Sequence, residues 1–106
     1  MADFLGLMKQ AAQLQTKMQE LQSELDSITV DGTAGGGLVT ATLTAKGELK
    51  QMRIDASLMK PEEAEILEDL IVAAHADARR KAESVVQEKM KTLTGGLPLP
   101  PGLKLF

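Results

Sequence analysis

The sequence predicts a small α+β fold: an N-terminal helix, a three-stranded antiparallel sheet and a long C-terminal helix, assembled as a homodimer. Three observations carry this. The chain opens on apolar residues spaced alternately by three and four. A run from Leu38 to Ala45 then alternates apolar residues with threonines. After Pro61 comes a stretch with no Gly or Pro until Gly95. The first pattern is a helical period, the second a strand period, and the third permits a long uninterrupted helix.

Residues 3 to 28 read as one helix. Asp3 suits the N-cap and the positive end of the helix dipole. Phe4, Leu7, Ala11, Leu14, Met18, Leu21, Leu25 and Ile28 form an a/d stripe. A stripe this narrow needs a partner helix, from the same chain or from a second subunit. The period then changes, and Ile28 and Val30 begin a short first strand. Gly32 to Gly37 reads as a turn or flexible loop. In the second strand Val39, Ala41, Leu43 and Ala45 share one face, and Thr40, Thr42 and Thr44 the other. Lys46-Gly47 is expected to make a two-residue hairpin turn. Glu48 to Ala56 returns, placing Ala45 opposite Glu48, Leu43 opposite Lys50, Ala41 opposite Met52 and Val39 opposite Ile54. On the polar face Thr40 meets Arg53 and Thr42 meets Gln51.

Pro61 followed by Glu62 and Glu63 starts the second helix, expected to run to about Leu93, roughly 33 residues or about 50 Å. Its first half is strongly apolar. Its second half is expected to project from the body or to pair weakly. Gly95-Gly96 ends it. The domain is therefore residues 1–94, with 95–106 a Pro/Gly-rich extended tail.

The 106 residues suit one domain with a thin core. A small sheet with one apolar face cannot bury two long amphipathic helices, which is the reason to expect a homodimer. The chain has no Cys and one His, so disulfides, thiolate chemistry and multi-His metal sites are excluded. It has no Trp or Tyr, and its two Phe stand at the ends, poor equipment for stacking unpaired bases. No apolar run approaches a membrane span, and no signal peptide opens the chain, so a cytoplasmic protein is expected. No cofactor, metal or small-molecule substrate is implied.

Charge is unevenly placed. The net charge is −3, yet residues 61–77 of the second helix carry −6 and residues 78–94 carry +3. Macrodipole matching accounts for Glu62 to Glu65, Lys89 and Lys91, but fades before Arg79, Arg80 and Lys81. Local pairing of Asp77 with Lys81 and of Arg79 with Glu83 is a second account. A phosphate-contacting stripe is a third, and twofold symmetry would duplicate it. Lys9 and Lys17 lie roughly on one side of the first helix. Gly35-Gly36-Gly37 lacks a following Gly-Lys-Ser/Thr and is no phosphate loop. His75 reads as structural, and the carboxylates of the second helix show no acid–base arrangement. The first-helix stripe reads as core ahead of a docking site.

Several segments together resemble one family. They are Leu7-Met8-Lys9-Gln10-Ala11, Gly35-Gly36-Gly37-Leu38-Val39, Arg53-Ile54-Asp55-Ala56-Ser57-Leu58, Glu65 to Ala74, Asp77-Ala78-Arg79-Arg80 and Leu99-Pro100-Pro101-Gly102. In their order and spacing the chain resembles the YbaB/EbfC family of bacterial nucleoid-associated proteins. The resemblance implies a cytoplasmic, nucleoid-located homodimer whose paired helices project like tweezers onto duplex DNA. It implies a role in nucleoid organisation or gene regulation and no enzyme activity. Carried onto this chain, the DNA-binding residues are Lys9, Lys17, Arg79, Arg80, Lys81, Lys89 and Lys91. The alternative is a protein-interaction adaptor using the helix stripe or the Pro-rich tail.

Overall fold

The alternating run lies at the centre of the structure. In the computed structural model, which describes residues 3–94, Val39–Thr44 is the middle strand (β2) of a three-stranded antiparallel sheet. β1 (Thr29–Ala34) and β3 (Leu49–Ile54) flank it. Helix α1 spans Asp3–Ser27 and α2 spans Ala64–Thr94. Single 3₁₀ turns at Ala56–Leu58 and Pro61–Glu63 join β3 to α2. The α+β order expected from sequence is present. The expected extended tail, residues 95–106, lies outside the described residues.

Alternation divides the sheet into two faces. Val39, Ala41 and Leu43 are wholly buried. Their partners across the sheet are Ala34, Gly32 and Val30 of β1. On the other side Val39 and Ala41 meet Ile54 and Met52 of β3. α2 lays Ala74 and Ala78 on this face, over β1 and β2. Its backbone comes so close that a Cβ on Gly32 would stand 2.1 Å from Ala78 N and 2.3 Å from Ala74 O. Gly32 is therefore a strand residue chosen for close approach, and not the start of the loop. The loop is confined to residues 35–38.

The hairpin differs from the expected two-residue turn. Gly47 N–H donates to Thr44 O at 2.8 Å, and Thr44 N–H donates to Glu48 O at 2.8 Å. Thr44 Oγ1 also accepts from Glu48 N–H at 3.1 Å. A two-residue turn would demand positive φ at Lys46, which a side chain disfavours. The longer turn places only Gly47 there, at φ +98°. The additional residue reappears as a bulge, so Leu43 pairs with Leu49 and not with Lys50. The other expected pairs of Val39, Thr40, Ala41 and Thr42 with Ile54, Arg53, Met52 and Gln51 are all present.

A second core forms where the helices meet. Leu21, Leu25, Ala45 and Met90 are buried together, with Ile28, Val85, Val86 and Leu93 packed against them. α1 thus runs antiparallel along the C-terminal half of α2, so that half projects beside a partner. The pair makes an arm. The chain measures 73 × 26 × 15 Å with a radius of gyration of 19.5 Å, against about 13 Å for a compact domain of this length.

Candidate nucleic-acid interface

Edge chemistry fixes where α2 crosses the sheet. The register turns the backbone groups of Asp31 and Thr33 toward the free edge of β1. Thr33 N–H donates to Asp77 Oδ2 at 3.0 Å, and Lys81 Nζ donates to Asp31 O at 2.8 Å. Asp77 and Lys81 are one helical turn apart, so one face of α2 closes the strand edge. Asp77 also meets Lys81 Nζ at 3.2 Å and Arg80 Nη2 at 3.4 Å. The Thr33 amide first, and then Lys81 and Arg80, hold its carboxyl below the ordinary carboxylate range. Asp31 in turn accepts from Thr42 Oγ1 at 2.6 Å. At the end of β3, Asp55 accepts from the Ser57 hydroxyl and amide, which lowers its pKa and caps the first 3₁₀ turn.

The seven cations named from sequence fall into distinct environments. Lys81 is tied to Asp77 and to the β1 edge. Lys89 pairs with Glu24 across the two helices of the arm. Both stitch elements together. Among the described residues Arg79 pairs only with Glu83, at 3.9 Å, and Arg80 only with Asp77, at 3.4 Å. Their side chains are 64 % and 70 % exposed. Pairs this exposed and long are worth about 0–1 kcal/mol, so a phosphate competes for either guanidinium. Lys9 and Lys17 are exposed on α1 with no carboxylate in ion-pair range among the described residues. Lys91 is exposed in the last turn of α2. Local pairing of Arg79 and Lys81 was therefore a sound reading of spacing, whereas the Lys89–Glu24 pair, 65 residues apart in sequence, had no signal there.

The densest group of acids lies elsewhere. Glu62 and Glu63, in the 3₁₀ turn before α2, and Glu65, Glu68 and Asp69, in its first turns, stand at the end of the molecule away from the arm. The polar face of the sheet also presents an exposed cation that sequence reasoning passed over, Arg53, beside Thr40. The alternation that put Arg53 on the open face was its signal. Among the described residues no group of three His, Asp or Glu is placed to hold a metal, and no helix is long and apolar enough to cross a membrane.

A sequence model described as the YbaB/EbfC DNA-binding family matches residues 1–97. The chain belongs to this family. That places it among DNA-binding proteins and not among enzymes. YbaB/EbfC relatives are similar over nearly their whole length. A nucleoid-associated protein of Nitrobacter winogradskyi is 69 % identical over 103 residues, 97 % of each chain. A nucleoid-associated protein of Bradyrhizobium sp. (strain ORS 278) is 67 % identical over 102 residues, 96 % of each. The crystal structure of an uncharacterized Helicobacter pylori protein has the same fold, with a TM-score of 0.77 at 22 % identity, covering 88 % of this chain and 98 % of that one.

Proposed function

We propose that this protein is a nucleoid-associated protein of the cytoplasm that grips duplex DNA through backbone phosphates and acts in nucleoid organisation or gene regulation. One observation supports the phosphate mode: Lys9 and Lys17 on the arm, and Arg79 and Arg80 on the adjoining segment of α2 over the sheet, are exposed and at most weakly paired, while the densest group of acids stands at the opposite end of α2. Lys89 lies level with Glu24. By helical rise, the cations from Arg79 to Lys9 then extend about 37 Å, close to one turn of B-DNA. Phosphate contacts need no base readout, which suits an arm whose one aromatic residue among the described residues is Phe4. Lys91 joins the gripping set, and Lys81 and Lys89 add field while holding the arm straight.

The reading includes a homodimer. α2 covers β1 and β2, leaving the apolar flank of β3 (Leu49, Met52, Ile54) partly bare. The register turns the amides of Met52 and Ile54 outward from the sheet. An open edge with an apolar flank fits a second copy, and a twofold axis there duplicates the arm into two prongs.

The test is duplex binding measured by fluorescence anisotropy. Wild type is expected to bind random-sequence duplex, and the R79A/R80A double variant to bind several-fold more weakly. A wild type that ignores duplex DNA and instead co-purifies with one defined protein would replace this reading with an adaptor.

A further inference from the structure

The apolar stripe of α1 outlasts its partner. Leu93, in the last turn of α2, packs into the Leu21–Met90 cluster, and Lys89 pairs with Glu24, so α2 ends roughly level with Met18. α1 continues toward its N-terminus for about another 22 Å. The stripe that seats α2 at Leu21 and Leu25 runs on through Leu14, Ala11, Leu7 and Phe4. Phe4, Leu7 and Leu14 are 66, 62 and 52 % exposed. Apolar side chains at this spacing seat a helix. One lying there would take up the seam where α2 leaves it.

The bare segment is complementary to itself in one alignment. Counted in heptads, Phe4 and Ala11 fall at position a, Leu7 and Leu14 at d, and Asp3, Gln10 and Lys17 at g. Antiparallel helices set each a residue against a d residue, and g against g. A copy that places its Leu14 on Phe4 also places its Leu7 on Ala11, and the twofold repeats both layers. The same alignment brings Asp3 of each copy to Lys17 of the other. Both are exposed and have no ion-pair partner among the described residues. A parallel alignment would set Asp3 beside Met8 and Lys17 beside Gln22, with no ion pair. Sliding the antiparallel copy one heptad inward would set Phe4 on Leu21, which is already buried against α2. One heptad outward would leave only the Phe4 and Leu7 layers.

We infer that the segment of α1 from Asp3 to Lys17 pairs antiparallel with the same segment of a second copy of this chain, joining two arms end to end. The seam fills the bare part of the stripe and stops where α2 begins. It requires neither DNA nor the β3 pairing. Four apolar layers make a short seam, so the contact is weaker than one that covers a whole sheet edge. Where the arms also hold duplex, it couples one gripping molecule to the next. Lys17 belongs to the gripping set as well, so the test is run without DNA, and its failure leaves the DNA reading standing.

Sedimentation equilibrium of the full chain, carried to several hundred micromolar, compares wild type with D3K, K17D and D3K/K17D. Wild type is expected to show an association step above any β3 pairing. Each single variant replaces two ion pairs by two like-charge contacts and should raise the dissociation constant of that step about tenfold. The double variant exchanges the charges and should recover most of that loss. A wild type without the step, four proteins with one dissociation constant, or a double variant no tighter than K17D overturns the proposal. Disulfide trapping reads the alignment separately. The chain has no cysteine, so F4C and L14C each carry a single thiol. On oxidation of an equal mixture, the F4C–L14C pair should exceed either like pair several-fold. An excess of the F4C–F4C pair would mean a parallel seam, and the absence of any disulfide would remove the second copy from this face; either result overturns the proposal.

Discussion

Gly32 shows what one missing atom does. Its Cβ would meet the α2 backbone at 2.1 Å, and backbone cannot swing aside as a side chain can. G32A should therefore cost at least the upper end of the usual overpacking range, about 3 kcal/mol. A thermal melt should show a drop of roughly 10 °C or more; a shift within a degree or two would mean α2 sits further from β1. Asp77 offers a pH-dependent check. Its carboxyl is held low in the folded chain by the Thr33 amide, Lys81 and Arg80. The stabilisation is therefore complete above the unfolded pKa and disappears as pH falls through the folded one. D77N should melt below wild type near neutral pH, and the gap should close as pH drops below about 4. A gap that persists in acid would place the variant's effect outside the carboxylate charge.

The elements differ in how far their sequences revealed them. β2 was legible because every second residue is apolar and the intervening ones are Thr, a pattern only a half-buried strand satisfies. Its register with β3 followed for four pairs and slipped at the fifth, where Lys46 could not adopt the positive φ of a tighter turn. Gly32 was misread because a glycine beside Gly35-Gly36-Gly37 looks like more loop; only the approach of α2, more than forty residues away in sequence, gives it a strand role. The a/d stripe of α1 was legible as a pattern but not as a contact. Leu21 and Leu25 find α2, while Phe4, Leu7 and Leu14 pass its end. Among the cations, one-turn spacing disclosed the Asp77–Lys81 pair, whereas nothing local told Lys89 from Arg79. The arm depends on Leu25, 1 % exposed. L25A should cost about 2–5 kcal/mol by denaturant unfolding. It should also weaken DNA binding by loosening the arm, whereas unchanged stability would remove the α1–α2 contact from the account.

At the scale of the whole molecule, an acidic protein with a DNA-binding family's sequence is consistent because charge is segregated. On the proposed reading, like-charge repulsion at the acidic start of α2 would turn duplex away from that end and leave the arm side as the approach. The arm itself is only weakly basic, since Glu20, Glu24 and Asp26 accompany its lysines. Binding should accordingly be modest and sensitive to salt. Pairing through β3 would present two arms to one duplex, and sedimentation at micromolar concentration should report twice the chain mass; the mass of one chain would contradict the pairing. The most direct measurement is the salt dependence of duplex affinity for wild type beside R79A/R80A. With about 4–6 phosphates engaged per dimer, log K should fall with log salt at a slope near −4 to −5. The variant's slope should be shallower by about 2 or more. A flat wild-type response, or two superimposable slopes, would contradict a grip made by these side chains on the DNA backbone.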